Sequence, residues 1–184
     1  MILPIYVYGQ PVLRKKAAEI KKDHPGLKET IANMWETLPV SDGVGLAAPQ
    51  IGQSIRLFII DSTPFAEDHP EADGFHKTFI NPVILERSGE DAKYNEGCLS
   101  LPGIHEDVTR KSRIRIKYQD EDFKTHEKEY DGIIARIIQH EYDHVEGKMF
   151  IDHLTMIRRR ILKPKLETIA LGKVEVKYKI KIAK

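Results

Sequence analysis

The chain has 184 residues, 41% of them hydrophobic, enough for one sizeable core and too few for two, so a single domain over residues 1–184 is expected. A formal charge of +1 gives no global attraction to nucleic acid or membrane, so such a partner would have to be met by a local patch. The single cysteine, Cys98, excludes an intramolecular disulfide and fits a reducing compartment. Met1 to Tyr8 is short and lacks a basic n-region, so it does not read as a signal peptide, and no stretch approaches membrane-spanning length. A cytoplasmic location is the expectation.

Pro11 to Ala17 reads as one short helical turn. Asp23 can cap a helix and Pro25 suits a first turn, after which Leu27, Ile31, Met34, Trp35 and Leu38 recur at helical spacing until Pro39. Ser41 to Gly52 holds three glycines and one proline and is expected to be a shaped loop rather than regular structure. Ile55 to Asp61 reads as a buried strand, and residues 62–77 as a solvated surface excursion. Thr78 to Glu86, Arg113 to Gln119 and His126 to Tyr130 show strand composition and suggest an antiparallel sheet. From Ile133 to Val145 the period is helical, with Ile133, Ile137, His140 and His144 on one stripe. A further helix is expected over Leu154 to Leu162, broken near Pro164. After Gly172, Val174, Val176, Tyr178, Ile180 and Ile182 alternate strictly with charged residues, a strand pattern.

His140-Glu141-Tyr142-Asp143-His144 is an HExxH motif inside a predicted helix, where residues four apart project from one face. Two imidazoles there can grip one divalent ion, and Glu141 can act as general base and acid toward a water beside it. A catalytic site needs a third protein ligand and one open position. The metzincin continuation fails, because its ligand position is Phe150. A thermolysin-like glutamate about 20 residues after the second histidine would fall at Pro164, with Glu167 nearby and a basic run between. Upstream, Glu96-Gly97-Cys98-Leu99-Ser100 offers a thiolate, a strong soft ligand once a cation removes its proton.

Three segments, in order, resemble the signature motifs of peptide deformylases: Gly43-Val44-Gly45-Leu46-Ala47-Ala48-Pro49-Gln50, Glu96-Gly97-Cys98-Leu99-Ser100 and His140-Glu141-Tyr142-Asp143-His144. The similarity extends from Pro11-Val12-Leu13-Arg14 through Asn81-Pro82 to about residue 155. It implies a metal hydrolase that removes the formyl group from the N-terminal formyl-methionine of newly made polypeptides and releases formate. The ligands would be Cys98, His140 and His144, with Glu141 as the proton shuttle. The side-chain amide of Gln50 and the backbone N–H of Leu99 would stabilise the oxyanion. Tyr94 and Val44 would line the methionine pocket, and Glu96 would pair with Arg110 as structural support. Fe(II) would be the native ion, with Zn(II) a common substitute; the donor set also suits Ni(II) and Co(II). The corresponding fold is α+β, with antiparallel β-sheets packed around a central helix carrying HExxH, an N-terminal helix and a basic C-terminal extension over residues 156–184.

Other readings come from the residues themselves. Ile137 and Ile133, one and two turns before His140, can line an apolar pocket, and Gly43, Val44 and Gly45 can offer an edge on which an extended peptide adds as a strand. No strand-GxGxxG-helix context supports a nucleotide cofactor, and no membrane partner is expected. Arg136 is expected to face solvent. The resemblance also implies a departure: His105 stands where many members of the resembled family carry an arginine that contacts the peptide backbone. Because the resembled family acts on nascent chains, the basic residues of 156–184 are expected either to dock to ribosomal RNA through phosphate contacts or to form a solvated face, and the alternating strand could otherwise pair with the body or a second subunit. Two competing functions share the motif: a zinc endopeptidase, which would not need Cys98 at the metal, and a non-catalytic metal-binding module, indifferent to Glu141→Ala.

Overall fold

The stripe Leu27, Ile31, Met34 and Leu38 folds as the buried face of α1, Leu27–Val40, in the computed structural model, which describes residues 1–183. Its start differs from the expectation, because the N-cap is Gly26 at φ 71°, a left-handed entry that suits glycine. Pro39 does not stop the helix; it sits in the last turn, where little helix remains to disrupt. The turn expected near Pro11 is a short 3-10 helix over Pro11–Arg14.

The segment 41–52 is more regular than expected. Gly45–Ala47 forms a short strand, β2, and Ala48–Ile51 a 3-10 turn. With Ile5–Tyr6 as β1, a five-stranded antiparallel sheet runs in the order β2, β3 (Leu57–Asp61), β4 (His76–Gly97), β5 (His105–Gln119) and β6 (Thr125–Asp131). The predicted strand Thr78 to Glu86 is thus the first part of a 22-residue strand. Ser88-Gly89-Glu90, just beyond the predicted end, is a β-irregularity, with Gly89 at φ 77° against the Ser112 side chain. Such bulges bend a strand without ending it. The hairpin therefore carries Glu96 and Gly97 far past the predicted end, and β5 starts at His105 instead of Arg113.

Residues 62–77 are only partly a solvated excursion. Two 3-10 turns, Thr63–Phe65 and Pro70–Ala72, are held together by the buried Ser62 hydroxyl, which donates to the Ala72 carbonyl at 2.9 Å. The central helix α2, Gly132–Val145, packs Ile134, Ile138 and Val145 into one core with Phe58, Phe79 and Ile116 of the sheet. Helix α3, Met156–Ala170, runs straight through Pro164, contrary to the expected break. Leu162, Leu166 and Ile169 bury one face of α3 in a core with Phe150 and Leu101, and this packing outweighs the cost of the proline. Beyond it the alternation survives as burial: Val174, Val176, Tyr178 and Ile180 are half-buried, while Lys173, Glu175, Lys177 and Lys179 are exposed. Among the described residues of the tail, only Ile180–Lys181, β7, is a strand, paired parallel with β1.

Candidate metal centre and its cleft

The long hairpin delivers Cys98 to α2. Glu96 and Gly97 pair with Glu106 and His105 at the end of β4. The chain then turns, with the Leu101 N–H donating to the Cys98 carbonyl at 2.9 Å and the Tyr8 N–H to the Ser100 carbonyl at 2.9 Å. Gly97 lets the His105 ring lie close, since an added Cβ would stand 2.6 Å from it and the ring would have to move. Across the gap, His140 and His144 lie one helical turn apart with ring centroids 5.3 Å from each other. One ligand atom from each of Cys98, His140 and His144 lies within 4.8 Å of the others, and the Cys98 sulfur is 3.3 Å from His144 Nε2. Two imidazoles and one thiol converging without a carboxylate form a soft donor set suited to a first-row divalent ion.

Around this set lies a hydrogen-bonded shell. Glu96 accepts from His140 Nδ1 at 2.8 Å, which leaves the lone pair of Nε2 free for an ion. The same carboxylate receives Arg110 at 2.7 and 3.0 Å and Arg136 at 2.8 Å. Arg110 also donates to Asp143 at 2.8 Å, and Asp143 meets His153 at 2.7 Å. Burial pushes the Glu96 carboxyl up, but the hydrogen bonds from His140 and Arg110 outweigh it and hold it far below the usual carboxylate range. The expected Glu96–Arg110 pair is present within a larger cluster. Arg136 is a correction: it is buried rather than solvent-facing, donating also to the Val108 carbonyl at 3.0 Å and the Ala92 carbonyl at 2.6 Å, with its guanidinium over the Tyr94 ring.

The remaining polar groups face the same point. Burial pushes the Cys98 thiol up, but the charge of His144 and the hydrogen bond from His140 outweigh it and bring the thiol down to about 5. Glu141 is buried beneath Gly45, where an added Cβ would overlap its carboxylate. Burial raises Glu141 to about 7, and its Oε2 has no partner among the described residues. A buried carboxylate oxygen left unpaired is costly and fits a site completed by a polar guest. The Gln50 carbonyl oxygen accepts the Ala47 N–H at 2.8 Å, which turns its amide NH₂ toward Ser100 Oγ at 3.2 Å and Cys98 Sγ at 3.7 Å.

These groups open into a cavity of about 630 Å³. Gly43, Val44, Gly45, Tyr94, Leu99, Ile133 and Ile137 all line it, together with the metal-site residues Cys98 and His140. β2 is the edge strand of the sheet, so the backbone beside the cavity is an edge. The cavity also has lining residues that sequence reasoning did not single out: Pro64 and Phe65 from the 62–77 segment, and Glu175, Val176 and Tyr178 from the tail. Nothing in their local pattern marks them, because long-range folding brings them there. His105 lines it too.

Comparison with known proteins agrees with this geometry. The polypeptide deformylase family matches residues 2–160. The chain is 50% identical to peptide deformylases of Christiangramia forsetii, over 98% of this chain and 96% of that one, and of Flavobacterium johnsoniae, over 100% and 97%. Among solved structures it resembles a peptide deformylase of Legionella pneumophila, with a TM-score of 0.81 and 33% identity over 94% of this chain and 98% of that one. It also resembles the peptide deformylase of Thermotoga maritima, with a TM-score of 0.76 and 41% identity over 84% and 99%.

Proposed function

We propose a mechanism from one premise: the chain belongs to the polypeptide deformylase family, metal-dependent hydrolases that remove the N-formyl group from nascent polypeptides. In this reading the substrate is a peptide starting with formyl-methionine, and the products are formate and a free amine. Cys98, His140 and His144 hold one divalent ion, Fe(II) as the native ion by resemblance, with Zn(II), Ni(II) and Co(II) compatible with the same donors. Such an ion, when bound, polarises a carbonyl oxygen and lowers the pKa of adjacent water.

The protein's own groups do the rest. Glu141, buried beside the proposed ligands with an unpartnered Oε2 among the described residues, is placed to take a proton from the attacking water and pass it to the departing amine. As water adds to the formyl carbon, negative charge develops on its oxygen, and the Gln50 amide and the Leu99 backbone N–H donate to it. The Gln50 amide is already turned by the Ala47 N–H, so little reorganisation is needed. Collapse breaks the carbon–nitrogen bond. Gly43, Val44 and Gly45, beside the edge of the sheet, receive the peptide backbone as an added strand. Ile133, Ile137, Tyr94 and Val44 take the methionine side chain. Glu96, with Arg110 and Arg136, holds His140 in its tautomer.

The convergence of Cys98, His140 and His144 beneath an open cavity carries this reading. Formate release from formyl-Met-Ala-Ser, measured anaerobically, tests it: the wild type turns over, while Cys98→Ala and Glu141→Ala do not. No formate from the wild type with iron, zinc, nickel or cobalt supplied would refute it. Residues 1–184 then act as one catalytic domain in the cytoplasm, and the basic face of 156–184 docks ribosomal RNA. The exposed Arg159, Arg160 and Lys163 support that docking, whereas Arg158 is engaged by Glu106 at 2.7 Å. Ribosome co-sedimentation of Arg159→Glu/Arg160→Glu/Lys163→Glu should weaken and lose its salt dependence; unchanged binding would exclude the docking.

A further inference from the structure

One wall of the cleft comes from the tail, which the relatives at 50% identity share, since they align over 98% and 100% of this chain. The family match ends at residue 160, and the Thermotoga maritima structure is almost wholly covered by 84% of this chain. Yet Glu175, Val176 and Tyr178 line the same cavity as Cys98, Gln50 and Glu141.

The tail is fastened at both ends. After α3 the chain reverses at Gly172, at φ 70°, where an added Cβ would stand 3.0 Å from Ile182. Farther on, the Ile5 N–H donates to the Lys179 carbonyl at 2.8 Å and the Val7 N–H to the Lys181 carbonyl at 3.2 Å. Between these anchors the Tyr178 hydroxyl donates to the Leu99 carbonyl at 2.8 Å, bridging 79 residues of sequence. Leu99 in turn lies against Gly43, where an added Cβ would stand 2.9 Å from its side chain. Gly43, Leu99 and Tyr178 are therefore contiguous, leading from the edge that receives the peptide backbone to the tail.

We infer that residues 174–178 hold the part of the peptide beyond its formylated first residue, with Val176 as an apolar contact and Tyr178 as a positioning residue that fixes Leu99. This rests on the deformylase reading, in which Ile133 and Ile137 take the first side chain and the tail is left to meet the second and third. Of the two charged residues that flank Val176, Glu175 lines the cavity and Lys177 does not, so the wall sets one negative charge beside the apolar contact. Tyr178 acts through Leu99, because holding its carbonyl fixes the residue whose N–H faces the oxyanion.

Kinetics on formyl-Met and formyl-Met-Ala-Ser, with wild type, Val176→Asp and Tyr178→Phe, test the assignment. In Val176→Asp the KM for formyl-Met-Ala-Ser should rise roughly three- to tenfold, the scale of one lost contact, with formyl-Met turnover within about twofold of wild type. Tyr178→Phe should lower kcat about threefold or more on both substrates and leave KM in place. Equal effects of Val176→Asp on the two substrates, or an unchanged kcat in Tyr178→Phe, would overturn the assignment. Hydrogen exchange on the wild type needs no variant: saturating Met-Ala-Ser should slow exchange at 174–178, and unaltered exchange would equally overturn it. Absence of formate from both substrates in the wild type would instead defeat the deformylase reading, while the exchange measurement would still judge the tail.

Discussion

Replacing Arg110 by methionine should cost stability well before it affects chemistry directly. The Arg110 side chain is 4% exposed and bridges Glu96 and Asp143, themselves 4% and 8% exposed. Removing one partner of a buried ion pair costs about 3–5 kcal/mol, because the stranded charge stays desolvated. Here Glu96 keeps Arg136 and His140, and Asp143 keeps His153, so the lower end, about 3 kcal/mol, is expected. That is a large share of the roughly 5–15 kcal/mol that holds an ordinary domain folded. Urea unfolding of wild type and Arg110→Met, both with chelator so that metal binding adds nothing by mass action, measures it. Adding Glu96→Gln removes one stranded carboxylate, so the double variant should fall short of the sum of the single losses by more than about 1 kcal/mol. A loss below about 1 kcal/mol in Arg110→Met, or additive singles, would show that the cluster is not the buried charge network described.

The same geometry sets three further outcomes. Burial pushes Asp143 up, but the His153 hydrogen bond and the Arg110 charge outweigh it and lower it from 3.8 to about 2. A depressed folded pKa gives stability that is complete above the ordinary value and lost as pH falls toward 2; Asp143→Asn should therefore lose roughly 2 kcal/mol at pH 7 and show a flatter stability slope between pH 4 and 2, and an unchanged slope in acid denaturation would refute it. Gly45→Ala should lower kcat by about a hundredfold with CD spectra and unfolding midpoint little changed, since the new Cβ displaces the Glu141 carboxylate; near-normal turnover would mean that Glu141 can work elsewhere. Zinc added to the apoprotein should raise the unfolding midpoint of the wild type, and much less that of Cys98→Ala; equal shifts would remove the sulfur from the ligand set.

Whatever is periodic or local was legible in the sequence. His140 and His144 share a face because four residues make about one helical turn, and Ile133 and Ile137 belong to the same stripe. The tail alternates in burial from Lys173 to Ile180, but Ile182 is exposed and, among the described residues of the tail, strand pairing covers Ile180–Lys181 alone. Arg136 misleads for a definite reason. Its burial is decided by Glu96, Val108 and Ala92, which lie 28 to 44 residues away, and no pattern around position 136 carries that information. Pro164 and the strand end expected at Glu86 mislead the opposite way, as apparent breaks, because local preference is overridden by the packing of Leu162 and Leu166 and by a bulge in a paired hairpin.

That hairpin explains why sulfur and histidines can meet at all. Cys98 and Glu96 leave the same strand end two residues apart, so the element that presents the thiol also presents the carboxylate that orients His140. An error in the path of β4 would displace both together, whereas separate loops would let ligand and orienting group drift independently. Arg110 on β5 and Arg136 on α2 then grip that carboxylate from two directions, tying strand to strand and sheet to helix at one buried point. Glu96 is therefore more than the support expected for a pair with Arg110: it is the joint through which the sheet fixes the helix relative to Cys98. Its replacement by glutamine, which keeps the shape but not the charge, should loosen metal affinity more than it disturbs the secondary structure, with metal titration and far-UV CD as the two readings. Equal metal affinity in Glu96→Gln would show that the helix is positioned by the apolar core of Phe58, Phe79 and Ile138 alone.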